Sequence, residues 1–196
     1  MNLPLVARFT LSRAIAWRPN AENQLLARAR SGDREAIGVL FQRHRDKILR
    51  LTFQILHDRE AAEDAAQEIL LRAFQKMPSF RGESEFSTWL YRLALNHCLE
   101  TQRIRQRREA LLESHLQVPI HSGSPAPRIE ARLALEHALD ELPEILRFVL
   151  ILREWHELSY EEIAAILHLP VGTVRSRLHE ARKKFRQSWE AQHGDL

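Results

Sequence analysis

The chain has 196 residues, enough for one domain or two small ones, each with a modest core. Its formal net charge is only +3 against a sequence pI near 9.4, so positive charge matters through local arginine clusters more than through the total. Six glycines, eight prolines and no run of alternating apolar and polar residues exclude an extensive sheet, and one cysteine excludes an intrachain disulfide or a cysteine metal quartet.

A reducing, cytoplasmic location is therefore expected, with no cofactor, and Cys98 reads as a small buried apolar residue. Met1 to Asn20 carries Arg8, Arg13 and Arg18 and no acid, a composition resembling an organellar transit peptide or a weak amphipathic membrane-surface segment. Its apolar stretches are too short for a signal peptide or a membrane span, so residues 1–21 read as a loosely ordered extension with no stable membrane insertion.

From Glu22 to His57 apolar residues recur at helical spacing, interrupted at Ser31-Gly32-Asp33. Two helices are predicted, with Asp33 as N-cap of the longer one. His44 falls on the inner stripe, where a core histidine is the simpler reading than a ligand. Asp58-Arg59-Glu60 opens a third helix, Glu60 to Met77, with Ala62, Ala66, Ile69, Ala73 and Met77 inward and Pro78 as its stop. Asp64, Gln67 and Glu68 lie at i, i+3 and i+4 and make one polar patch beside Glu63. Carboxylates are repelled by phosphate, so the partner this patch suits is a protein.

Ser79 to Glu85 is a polar loop, and FSTWLYRLALNHCLETQRIRQRR after it mixes aromatics with arginines. Single-stranded nucleic acid is held in this way, by stacking bases on exposed rings at roughly 1–3 kcal/mol each while cations neutralise the backbone. Trp89, Tyr91, Arg92 and Asn96 cannot all face one core. A structural reading stands level with this one: Phe86, Leu90, Leu93 and Leu95 as core, with Trp89 at its edge. Arg103, Arg105, Arg107 and Arg108 extend the basic face.

Gln117 to Arg128 holds three prolines, two serines and a glycine, and reads as an extended flexible linker. Ile129 to Leu142 then begins a second domain. Pro143 follows a helix end, and Ile145, Phe148, Val149 and Leu152 give the next helix its buried face.

Leu158 to Phe185 reads as a helix-turn-helix. Ser159 and Glu162 form a capping box, Ala164 is the small residue that lets a second helix cross closely, and His168-Leu169-Pro170 makes the turn. Glycine is commonest at such a turn because a positive φ costs it nothing, whereas histidine accepts a small strain. Val174 and Leu178 turn one face of the last helix inward and leave Arg175, Ser176, His179 and Arg182 outward, a face that suits a DNA major groove. Glu180 on this helix either weakens DNA binding or accepts a hydrogen bond from a cytosine amino group.

With these motifs in order, the chain resembles the extracytoplasmic-function (ECF) sigma factors, the small promoter-recognition subunits of bacterial RNA polymerase in the sigma-70 family. AEDAAQEILLRAF and FRGESEFSTWLYRLALN resemble sigma region 2, and LPEILRFVLILREWHELSYEEIAAILHLPVGTVRSRLHEARKKF resembles region 4. The resemblance implies an all-α chain of two small helical domains joined by a flexible linker: region 2 over 22–108, linker 109–130 and region 4 over 131–190. It implies that Asp64, Gln67 and Glu68 dock on core RNA polymerase. Phe80 and Arg81 in the loop, with Trp89, Tyr91, Arg92 and Asn96, would take the melted minus-10 element by capturing a flipped base. Thr173, Arg175, Ser176, Arg177, His179 and Arg182 would read the minus-35 element. The partners implied are core polymerase, promoter DNA and an anti-sigma factor. His168, in place of the glycine common at the turn, and Glu180, where relatives often carry a basic residue, depart from the family pattern.

Two other classes compete. A stand-alone helix-turn-helix regulator would explain the C-terminal domain but not the acidic patch or the aromatic–arginine helix. A metal-dependent hydrolase would call on the ten histidines, but these are scattered without H-E-x-x-H or paired Cys/His spacing. No catalytic residue is expected.

Overall fold

The computed structural model describes residues 19–112 and 127–193, so the basic N-terminal extension and most of the expected linker lie outside the described residues. Eight α-helices and one 3-10 turn follow in order, with no strand among the described residues: α1 Pro19–Arg30, α2 Arg34–Leu56, α3 Arg59–Lys76, the turn Met77–Ser79, α4 Phe86–Leu112, α5 Pro127–Asp140, α6 Glu144–Glu154, α7 Tyr160–Leu167 and α8 Val171–His193. The all-α architecture is the one expected. Helix α4 runs into, and α5 begins within, the span 109–130 read as linker.

Side chains set the helix limits. Asp33 accepts from the N–H groups of Glu35 and Ala36 and caps α2, and Asp58 accepts from Ala61 N–H and caps α3. At the far end of α2, His57 takes a left-handed conformation with φ 55°. Gln102 of α4 donates to the Ile55 carbonyl at 2.7 Å, giving one of that helix's last acceptors a partner.

The first unit packs α2, α3 and α4 around Leu40, Ile48, Leu51, Ile55, Ile69, Phe86 and Leu90. The α3 side of this core is mainly alanine (Ala62, Ala65, Ala66 and Ala73, all buried), so α2 and α3 approach closely. There the buried Thr52 hydroxyl reaches the Ala62 carbonyl at 3.0 Å. Cys98 is fully buried in the same core, and burial pushes its thiol up to about 12.

The second unit is built around α6. One buried face was expected for it, yet Leu146, Phe148, Val149, Leu150, Ile151 and Leu152 are all buried while Ile145 is only partly so. A helix apolar nearly all round is a central one, and α5, α7 and α8 all pack on α6. In the helix-turn-helix, Glu162 accepts from Ser159 N–H at 2.7 Å while Ser159 Oγ accepts from Glu162 N–H at 3.2 Å, which is the capping box read from the sequence. His168 makes the turn at φ 54°, and its N–H donates to the Ala164 carbonyl. Val174, Leu178 and Ala181 of α8 close the core over Ile163 and Ala164.

Candidate polymerase and nucleic-acid interfaces

Helix α8 presents Arg175, Ser176, His179 and Arg182 to solvent, while Thr173 and Arg177 are half-buried at its margin. The Arg175 guanidinium lies 5.7 Å from the Tyr160 ring centre, a cation–π contact that limits where it points. Arg182 donates through Nη2 and Nε to Glu154 of α6 at 2.6 and 3.0 Å, which ties part of its exposed guanidinium to its own domain. Glu180 pairs with Lys184 at 3.2 Å, which offsets its repulsion of phosphate.

On α3, Asp64 and Gln67 are exposed and Glu68 is half-exposed. Glu68 accepts from Arg72 at 2.9 Å, and Arg72 also reaches Glu100 of α4 at 3.2 Å, so the patch is braced from the next helix. Leu71 and Phe74 continue the same face and are 52% and 41% exposed, two of the three large hydrophobics that stand out from the described surface. A face that mixes carboxylates with bare apolar side chains is suited to protein and not to DNA. Neither apolar residue figured in the sequence reading. The signal was there, since both fall outside the inward set Ala62, Ala66, Ile69, Ala73 and Met77.

The expected minus-10 set divides. Arg81 and Asn96 are exposed, and Trp89 and Arg92 are half-buried. Phe80 and Tyr91 are not available to a base in this arrangement, being only 5% and 3% exposed. Phe80 follows the 3-10 turn and inserts between Phe86 and Trp89, with ring centres 5.8 and 5.1 Å away, so it anchors the loop from beneath. His44 supports the same cluster: its ring meets Phe86 edge-on at 5.2 Å and its Nε2 lies 3.6 Å from Glu22. Above this aromatic base Gly82 turns the loop at φ 76°, a conformation that favours glycine, with Arg81 and Glu83 exposed on either side.

Tyr91 is covered by the other half of the chain. Its hydroxyl lies 2.8 Å from Nδ1 of His156, the rings meet edge-on, and Nε2 of His156 lies 2.9 Å from Oε1 of Gln54. Burial pushes the Tyr91 hydroxyl up to about 12. Burial first, then the charges of Arg50 and Lys47, push His156 down to about 4. His156 is thus neutral in the packed state, and its share of the contact is fully present above the ordinary imidazole value near ~6.5 and is lost as the pH falls towards about 4. In an NMR titration of the free protein His156 should remain neutral well below the ordinary imidazole range. A midpoint at the ordinary value would mean that the two halves are not in contact.

Among the described residues no group of His, Cys, Asp and Glu is arranged to hold a metal ion, and no helix is long and apolar enough to cross a membrane.

Two separate stretches of the chain match known families in this same order: residues 40–109 match Sigma-70 region 2, and residues 132–185 match Sigma-70, region 4. The RNA polymerase sigma-H factor of Pseudomonas aeruginosa is 38% identical, covering 83% of this chain and 90% of that protein. The ECF RNA polymerase sigma-E factor of Escherichia coli K12 is 35% identical, covering 81% and 89%. Among solved structures, CnrH in complex with the cytosolic domain of CnrY superposes with a TM-score of 0.69 at 26% identity, covering 87% of this chain and 98% of that one. The sigma factor RpoE of Bartonella quintana, solved with the anti-sigma factor NepR, shares the fold at a TM-score of 0.57 and 23% identity, covering 88% and 96%. The chain belongs to the ECF sigma factors of the sigma-70 family. Its function is that of a transcription initiation factor, the subunit that binds core RNA polymerase and directs it to promoters.

Proposed function

We propose that the two units divide the work of promoter recognition, with region 2 over 22–108 docking on core polymerase and gripping the melted minus-10 strand, and region 4 over 131–190 reading the minus-35 element. The observation that carries this reading is the segregation of chemistry: α3 exposes carboxylates with Leu71 and Phe74, whereas α8 exposes Arg175, Ser176 and His179. One surface suits protein and the other a DNA groove. Within region 2, Arg81, Trp89, Arg92 and Asn96 form the strand-gripping set, and Phe80 supports the loop from below. The chain works in the cytoplasm and supplies recognition without catalysis of its own; phosphodiester synthesis belongs to the polymerase. An anti-sigma factor holds it inactive until a signal arrives. The family resemblance supports that restraint, and the CnrH neighbour was itself solved bound to the cytosolic domain of CnrY.

Trp89→Ala tests the strand-gripping role. It should slow strand opening more than it weakens the closed complex, because a ring that stacks on a base acts only once bases unstack. Permanganate footprinting on linear and pre-melted templates separates the two steps, and the pre-melted template should relieve the variant. If it gives no relief, Trp89 is a packing partner of Phe80 and Phe86 only. Phe80→Ala is the control for lost packing, at about 3–5 kcal/mol of stability.

A further inference from the structure

Helix α1 lies ahead of the stretch that matches Sigma-70 region 2, yet it brings a cation to the loop between the 3-10 turn and α4. Its last turn holds two arginines with different surroundings. Arg28 donates through Nε to Asp33 at 2.7 Å, and its Nη2 lies 2.7 Å from the same carboxylate oxygen, so it braces the corner into α2. Arg30 stands two residues further on, about 200° around the helix, and points away from that corner. It is exposed. In α1 the ion pairs among the described residues belong to Arg28 and Glu22, and Arg30 has none.

The neighbour of Arg30 is Gly82. A Cβ placed on Gly82 would lie 3.8 Å from Nη1 of Arg30, so the guanidinium rests against the bare backbone at the tip of the loop. Two features hold it there: Ala29, the residue before it, is buried, and α1 packs on the turn Met77–Ser79 that leads into the loop. From Ser79 to Glu85 the loop carries one arginine against two glutamates. Arg81 lies 4.0 Å from Glu83, so part of its charge is already matched. A segment that accepts a nucleotide turned out of the stack also meets the phosphates on either side of it, and this one is short of positive charge of its own. Arg30 supplies that charge from outside the loop.

We propose that Arg30 is part of the minus-10 site: its guanidinium binds a phosphate of the melted strand next to the base captured at the loop, while Arg81, Trp89, Arg92 and Asn96 hold that base and its neighbours. This contact rests on the minus-10 reading above and extends it to α1. A backbone contact adds affinity and fixes register without a base preference of its own. It also displaces a counterion from the strand, so its contribution falls as salt rises.

Fluorescence anisotropy of the holoenzyme with a labelled single-stranded oligonucleotide, the minus-10 segment of a promoter it uses, reads this contact. Arg30→Ala should weaken binding about tenfold and Arg30→Lys by much less. The slope of log affinity against log salt should become shallower in Arg30→Ala by about 0.7, the share of one phosphate on a single strand. Replacing the phosphates one at a time by neutral methylphosphonates locates the contact: at one position, beside the captured base, the parent and Arg30→Ala should bind alike. Arg28→Ala removes the same charge from the same turn and should bind as the parent does. Both side chains are exposed, so neither change disturbs the fold. Arg30 leaves the site if its alanine variant keeps the parent's affinity and slope, if that variant loses equally at every methylphosphonate position, or if Arg28→Ala loses as much. Trp89→Ala separates the two readings. Should it weaken strand binding while Arg30→Ala does not, Arg30 alone leaves the site; should neither weaken it, the minus-10 assignment falls as well.

Discussion

Asp64→Ala combined with Glu68→Ala should abolish promoter-directed transcription while leaving the protein folded. Asp64 is exposed and Glu68 half-exposed, and neither touches the core of region 2. Among the described residues, the one bond the change removes is the Glu68–Arg72 pair, which is 42% and 40% exposed and therefore worth about 0–1 kcal/mol. Arg72 keeps Glu100, so no cation is stranded. The loss at an interface is different in scale. Removing charged partners from a docked, desolvated surface costs about 2–5 kcal/mol, enough to lower core affinity by tens to thousands of times. Competition with a second sigma factor for limiting core polymerase reads the loss directly, and circular dichroism should show unchanged helix. A double variant that competes as well as the parent would remove the docking role from this face.

The second large effect is expected on α8. Arg175 is exposed, carries no carboxylate partner among the ion pairs seen, and is steadied over the Tyr160 ring. A guanidinium held this way can make a bidentate contact to guanine, worth about 1–3 kcal/mol against the wrong base. Arg175→Ala should therefore weaken holoenzyme binding at one base position of the minus-35 element and leave the others in rank. Holoenzyme affinities on promoters varied base by base check it. An unchanged sequence profile would take Arg175 out of the base-reading set and leave it a phosphate contact at most.

Local chemistry was legible in the sequence wherever it decides structure by itself. The Ser159–Glu162 capping box, the Asp33 cap and the left-handed turn at His168 each involve residues only a few positions apart, and each stands where the spacing put it. The inward stripe of α3 was readable for the same reason, because a 3.6-residue period fixes which side chains share a face. Spacing does not say what covers a face. Tyr91 looked like a candidate for exposure, yet it is buried by His156, 65 positions further on, and no local pattern announces that pairing. Phe80 was misplaced for another reason. It sits between a 3-10 turn and a loop, where no period applies, and only the packed rings of Phe86 and Trp89 show that it points inward. The surroundings of α6 were likewise hidden: its apolar residues outnumber one face, but which neighbours bury the rest depends on how α5, α7 and α8 fold over it.

Binding to core polymerase is what separates a sigma factor from a helix-turn-helix regulator with a similar C-terminal domain. The decisive measurement mixes the full chain with limiting core polymerase and a competing sigma factor, and follows transcription from a promoter used by each. The chain should displace its competitor in proportion to its concentration and redirect transcription to its own promoter, with no promoter-specific duplex binding of comparable strength in the absence of polymerase. Failure to compete, together with tight sequence-specific duplex binding by the chain alone, would contradict the account and make this protein a stand-alone regulator.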